Sequence, residues 1–147
     1  SNTDSETLIH GYEEWGESLV ERLRGMYAFA IWDTRKKKLF VARDIFGIKP
    51  LYYAQMNGTL MFASEIKAFM EHPKFDKEFN EDALGNYLSF QFVPTNETFF
   101  KGVFCLQPGH YFTYENGELN ITRYFEPNFT GDTENLLKRS WMMWKRL

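Results

Sequence analysis

The 147 residues contain one cysteine, Cys105. A disulfide framework is therefore excluded, and a reducing cytoplasm is the expected compartment. A single internal thiol reads as packed rather than nucleophilic. His10, His72 and His110 show no spacing that implies a dyad or a metal site, so structural roles are expected for all three and no metal is assigned to this chain. Positive charge is not in excess. The formal net charge is −3, which offers no field to attract nucleic acid or an acidic membrane. The one basic cluster, Arg35 to Lys38, reads as a solvated turn rather than a phosphate site. No apolar run reaches the length that spans a bilayer, and no signal peptide is read at the start. The Asn-x-Thr matches at Asn96, Asn120 and Asn128 are accordingly read as chance.

Aromatic residues are abundant, at 18% of the chain, and they fall in apolar runs rather than on basic segments. The richest stretch lies between Arg24 and Lys67. Met26 to Trp32 is apolar at every position. Tyr27, Phe29 and Ile31 fall on one face of a strand, and Met26, Ala28, Ala30 and Trp32 on the other. Two apolar faces predict a strand covered on both sides. Leu39 to Ala42, Leu51 to Ala54 and Leu60 to Ala63 read as three further strands. Asn57-Gly58 supplies a tight hairpin between the last two. Short connections predict an antiparallel meander in a layered α+β domain.

The flanks read as helices and a second hairpin. Thr3-Asp4-Ser5-Glu6 has the capping-box pattern, with Glu6 as its partner residue. Leu8, Tyr12, Trp15, Leu19 and Leu23 recur at helical spacing, and Gly11 and Gly16 each cost about 1 kcal/mol relative to alanine. Two short helices with a break near Gly16 follow. A helix is expected over Ser64 to Glu71, ended by Pro73, and another from an Asn80 cap to Phe90. Residues 92 to 109 read as irregular. Tyr111 to Tyr114 and Glu118 to Tyr124 flank Asn116-Gly117 as a hairpin. Tyr52, Tyr53, Phe62 and Glu65 are expected in the core and at the sheet-to-helix corner. Arg43 and Asp44 are expected to form a structural pair that fixes the Gly47-Ile48-Lys49-Pro50 turn.

The chain reads as a piece of a longer protein: it opens inside a helix cap and has no initiator methionine. Its last residues are out of character. Trp and Met have single codons, so Trp141 to Trp144 must be encoded TGGATGATGTGG. In a shifted frame this gives Asp-Asp-Val followed by Glu, a better helix. Residues 141–147 are therefore expected to be a frameshifted tail.

With these segments laid out, the chain resembles glutamine-hydrolysing asparagine synthetases. The strings that carry the resemblance are TDSETLIHGYEEWG, ERLRGMYAFAIWD, LFVARDIFGIKPLYY, LMFASEIKAF and YLSFQFVPTNETFFKGVFCLQPGHYF. The middle strings are shared in part by other class II glutamine amidotransferases. The segment Tyr87 to Phe112 is more specific to asparagine synthetases.

The resemblance implies an N-terminal-nucleophile hydrolase fold, an αββα sandwich of antiparallel sheets that is incomplete in this chain. It assigns residues 1–127 to the C-terminal part of a type 2 glutamine amidotransferase domain. Residues 128–147 become a linker towards a synthetase domain. The family's reaction is ATP-dependent amidation of aspartate with ammonia from glutamine. ATP and Mg2+ belong to the synthetase domain. The partners implied are glutamine and that synthetase domain, with a homodimer of the full-length protein also allowed.

The family's nucleophile is an N-terminal cysteine, which this sequence does not contain. Its Arg-Gly-Pro-Asp, Asn-Gly-Glu and Ser-Gly-Gly-x-Asp-Ser strings do not occur either. No catalytic residue is therefore assigned here, and the chain alone is expected to be inactive. One substrate-binding residue is carried over: Asp4, whose carboxylate would take the α-ammonium of glutamine. On the residues alone, helix capping is the stronger reading of Asp4, and the resemblance reverses that order. The alternatives are a fragment of another class II amidotransferase, or a non-catalytic remnant or interaction module.

Overall fold

Two glycine-containing turns set the strand pairing. In the computed structural model, which describes residues 3–128, Asn57 and Gly58 have φ of 49° and 71°, and Asn116 and Gly117 have 53° and 86°. Consecutive left-handed residues match the twist of a two-residue hairpin. They join β3 (Tyr52–Met56) to β4 (Thr59–Ala63) and β6 (His110–Glu115) to β7 (Glu118–Arg123). A third hairpin joins β1 (Ala28–Asp33) to β2 (Lys38–Arg43). Its polar turn is tied by the Asp33 carboxylate, which accepts from the backbone N–H of Arg35 and Lys36.

The strands form two antiparallel sheets, not one meander. One has the order β1-β2-β6-β7, the other β4-β3-β5, with β5 spanning Val103–Cys105. The expected neighbours β2 and β3 therefore lie in different sheets. β2 takes β6 as its partner, with Val41 opposite Phe112, and β3 takes β5, with Tyr53 opposite Phe104. Residues 44 to 51 carry the chain across between the sheets. β5 falls in a stretch read as irregular. At three residues, next to Gly102, it has no periodicity to show, and its partner is about fifty residues away.

The two sheets face each other across Val41 and Phe112 from one and Tyr53 from the other, with Leu51 and Leu106. The outer face of the first sheet is covered by α1 (Asp4–Trp15), a 3₁₀ turn (Gly16–Ser18) and α2 (Leu19–Arg22). Tyr12, Leu19 and Val20 pack there on Phe40 and Ala42, and Tyr12 stacks on Phe40 at 5.5 Å. The break near Gly16 is as expected. Gly11 is required by proximity, since a Cβ there would stand 2.5 Å from Leu19 Cδ1. The Thr3 half of the capping box is not formed as read: Thr3 is the N-cap residue in extended conformation, and its side chain makes no capping bond.

The outer face of the second sheet is covered by Phe69 and Phe75 around Ala54, Met61 and Val103. The helix expected over Ser64 to Glu71 is reduced to a 3₁₀ turn at Ile66–Ala68 with Glu65, not Ser64, at its cap position. From Ala68 to Phe75 the backbone runs through successive three-residue turns, with Phe69 N–H on the Ile66 carbonyl, Met70 on Lys67, His72 on Phe69 and Phe75 on His72, and both Phe69 and Phe75 pack on the sheet. α3 (Glu81–Phe90) begins as expected at Asn80, whose side chain accepts from the Ala83 N–H and donates to the Thr98 carbonyl.

Cover on both faces of β1 is not found. Phe29 and Ile31 pack under the helices and Ala28 reaches the inter-sheet core, but Met26 and Trp32 are 63% and 55% exposed. β1 is the edge of its sheet. An open edge with an apolar face is a template for association. Trp32→Lys is expected to shift the isolated chain from self-associated species towards monomer on size exclusion. An unchanged elution profile would show that this edge does not drive association. Among the described residues, no helix is long and apolar enough to cross a membrane.

Candidate functional site

The loop after β2 is the most strongly determined polar structure in the molecule. Arg43 and Asp44 are both buried, Asp44 completely. They do not pair with each other as expected, and each instead grips the backbone. The Arg43 guanidinium donates to the carbonyls of Lys49 at 2.7 Å, Gly47 at 2.6 Å and Leu106 at 2.5 Å. The Asp44 carboxylate accepts from the N–H groups of Phe46 at 3.0 Å, Ile48 at 3.1 Å and Lys49 at 3.1 Å. The cation on backbone carbonyls and the anion on backbone N–H groups hold the same short loop from both polarities. The purpose read for them, fixing the turn, is met by a different geometry.

Burial by itself would raise the Asp44 carboxyl. The N–H donors of Lys49, Ile48, Phe46 and Tyr27 outweigh burial and hold it below its ordinary value. Gly47 is demanded twice over. Its φ is +64°, and a Cβ would lie 2.7 Å from Pro108 Cγ and 3.1 Å from the Arg43 guanidinium carbon. The loop is tied to the distant hairpin as well. Gly109 N–H donates to the Asp44 carbonyl at 3.0 Å, and the Tyr124 hydroxyl donates to the Arg43 carbonyl at 2.6 Å. Tyr27 meets Tyr124 hydroxyl to hydroxyl at 2.8 Å. Burial pushes both phenols up, and Tyr124 strongly.

This held loop displays apolar side chains. Phe46 is 72% exposed and Ile48 56%. Sequence reasoning treated the turn as structural and missed these two. The available signal was large apolar residues inside a glycine-containing turn, where polar ones are usual.

Asp4 stands apart. It is exposed in the first turn of α1, where the partial positive charge of the helix N-terminus suits a carboxylate. Among the described residues no hydrogen bond or ion pair joins it to the Arg43–Lys49 loop. Glu6, further along the same turn, is partly buried and lies 3.8 Å from His10. His10 also meets Glu13, the His72 ring accepts from the Lys74 N–H, and His110 lies 2.8 Å from the Pro108 carbonyl. These contacts of the three histidines are all local in the chain. Cys105 is half-buried, with its sulfur accepting from Arg43 at 3.1 Å. Lys38 is not the solvated residue expected: its ammonium binds Glu17, whose other oxygen accepts from the Tyr111 hydroxyl. That bond raises the Lys38 pKa and ties the helical layer to the sheet. Of the four residues read into the core and the sheet-to-helix corner, Tyr53 is buried, Tyr52 is partly so, and Glu65 stands at the corner between β4 and the 3₁₀ turn. Phe62 and Glu65 are exposed, Glu65 with Lys67 as its partner.

No group of three or more His, Cys, Asp or Glu side chains able to hold a metal ion is assembled among the described residues. Among the described residues the arrangement comprises a loop held through its backbone that displays apolar side chains, and a separate carboxylate at a helix start. Residues 129–147, with the expected linker and tail, lie outside the described part.

Comparison with known proteins places this arrangement. The profile described as glutamine amidotransferase domain matches residues 1–125. The chain is 44% identical over 131 residues to asparagine synthetase [glutamine-hydrolyzing] 1 of Bacillus subtilis, covering 87% of this chain and 21% of that protein. It is 38% identical over 124 residues to asparagine synthetase 3 of the same organism, covering 84% and 20%. Among solved structures, the glutamine phosphoribosylpyrophosphate amidotransferase of B. subtilis superposes with a TM-score of 0.56 at 22% identity, over 86% of this chain and 23% of that one. That likeness supports the N-terminal-nucleophile sandwich fold. The chain thus spans about one fifth of the length of the curated relatives it matches. It belongs to the glutamine amidotransferase domain family, as a homologue of part of the glutamine-hydrolysing asparagine synthetases.

Proposed function

We propose that this chain supplies scaffold to the glutaminase domain of an asparagine synthetase, a ligase that amidates aspartate at the expense of ATP with ammonia from glutamine. The observation that carries the reading is the 44% identity over 131 residues, together with the family match over residues 1–125, which takes in the loop and helix described above. In this reading Asp4 takes the α-ammonium of glutamine, with a charge-assisted bond to an exposed carboxylate at a helix start. The thiol nucleophile comes from an N-terminal cysteine outside this sequence. ATP and Mg2+ are assigned to the synthetase domain of the full-length protein. The cytoplasm is the compartment that suits a single unpaired thiol.

The test is glutamate release from glutamine by the purified 147-residue chain. No turnover is expected. The same chain exchanged into the matching segment of the B. subtilis synthetase should restore it. Measurable turnover by the chain alone would overturn the assignment of the missing cysteine, and an inactive exchange protein would count against the family reading of Asp4.

A further inference from the structure

Two Asn-Gly pairs, Asn57-Gly58 and Asn116-Gly117, form the two-residue hairpin turns of this fold. The pair carries chemistry as well as geometry. A glycine nitrogen that follows asparagine has no Cβ beside it to hinder attack on the asparagine side-chain amide. The two turns are alike in sequence, Met56-Asn57-Gly58-Thr59 and Glu115-Asn116-Gly117-Glu118, and both asparagines are exposed. Their surroundings differ.

Asn57 is held. Its Nδ2 donates to the Lys74 carbonyl at 3.1 Å, and the Lys74 ammonium donates to the Thr59 hydroxyl at 3.0 Å. β4 is a sheet edge, but Met61 anchors it in a core cluster. Asn116 has no such tie. Among the described residues no hydrogen bond involves its side chain, and Gln55 Nε2 reaches only the neighbouring Gly117 carbonyl, at 3.2 Å. The tip itself is weaker. Glu115 lies directly opposite Glu118, where the other hairpin sets Met56 opposite Thr59. Like charges opposed across two strands destabilise the pair. β7 is also an edge, and every residue in it except Leu119 is exposed. A segment with so little burial opens locally.

We propose that Asn116 is a site of spontaneous deamidation, gated by opening of the β6–β7 tip, and that Asn57 is protected from the same reaction. Once the tip opens, the Gly117 backbone nitrogen bonds to Asn116 Cγ and the Cγ–Nδ2 bond breaks. Nδ2 leaves as ammonia, taking the proton from the Gly117 nitrogen. Water then opens the five-membered imide. Attack at Cγ gives aspartate, and attack at the backbone carbonyl gives isoaspartate. One water enters and one ammonia leaves. Either product adds a carboxylate between Glu115 and Glu118. Isoaspartate also lengthens the main chain through Cβ, so the two-residue turn no longer fits its strands. The inference does not depend on the proposed function.

Peptide mapping by mass spectrometry tests it, on the 147-residue chain stored at neutral pH. In the folded chain Asn116 should convert at least about tenfold faster than Asn57, and in concentrated urea the two rates should agree within about threefold. The stored protein should lose amide protection in β7 and keep it in β2 and β3. Asn116→Gln should keep β7 protected over the same storage. Equal rates at Asn57 and Asn116 with the Phe112 amide protected would overturn the inference. Faster conversion of Asn57 in the folded chain would do the same, as would no conversion of Asn116 by the time the urea sample is complete. Should the Phe112 amide lack protection in the isolated chain, the exchange protein with the B. subtilis synthetase is mapped instead, and the same ratio decides.

Discussion

Replacing Asp44 by alanine is expected to cost about 3–5 kcal/mol, a large part of the stability of a domain this size. The reason is local and countable. The N–H groups of Phe46, Ile48 and Lys49 lose their acceptor in a place where the carboxylate was fully shielded from water. The measurement is hydrogen exchange across residues 44–49 together with urea unfolding followed by tryptophan fluorescence. A cost below about 1 kcal/mol would show that the loop finds other acceptors.

Acid should reproduce part of the effect. The folded carboxyl lies below its ordinary value, so its contribution is complete above the unfolded carboxyl pKa and is lost as pH falls through the folded one. Stability should therefore drop on acidification below about pH 4. In Asp44→Ala that portion of the slope should be missing. Asp44→Asn separates charge from shape: its amide oxygen can keep one acceptor position, and an intermediate loss is expected.

Replacing Asp4 by asparagine in the exchange protein with the B. subtilis synthetase should lower kcat/KM for glutamine about 100-fold, with ammonia-dependent synthesis unchanged. That factor corresponds to about 3 kcal/mol, the scale of removing one partner from a charge pair. Asp4 is exposed, so the substitution should leave stability within about 0.5 kcal/mol. The two predictions thus oppose each other. Asp44 should govern folding of the loop and Asp4 the capture of substrate. Equal kcat/KM values before and after the Asp4→Asn substitution would return Asp4 to the helix-start role that the residues alone favour.

Much of the local structure was legible before any coordinates. The hairpins at Asn57-Gly58 and Asn116-Gly117 follow from left-handed backbone that those residue pairs tolerate. The break at Gly16 and the Asn80 start of α3 follow from helix chemistry that acts within one turn. The family was legible too, because its turn strings are contiguous in sequence.

What the chain order could not decide was which strand lies beside which. β2 and β3 are joined by a short loop, yet they occupy facing sheets, because that loop is bent inward by Arg43 and Asp44 and each strand finds a better partner far along the chain. β5 exists only as the third member of a ladder, and its three residues would not hold an extended form alone. Burial was likewise beyond the pattern. Met26 to Trp32 reads as a fully covered strand, but an apolar side chain reports only that it prefers cover, and β1 at the sheet edge has cover on one face. Periodicity and turn chemistry are local and survive in the sequence. Pairing, edges and the partners of buried charges depend on segments far apart in the chain, and only the folded structure brings those together.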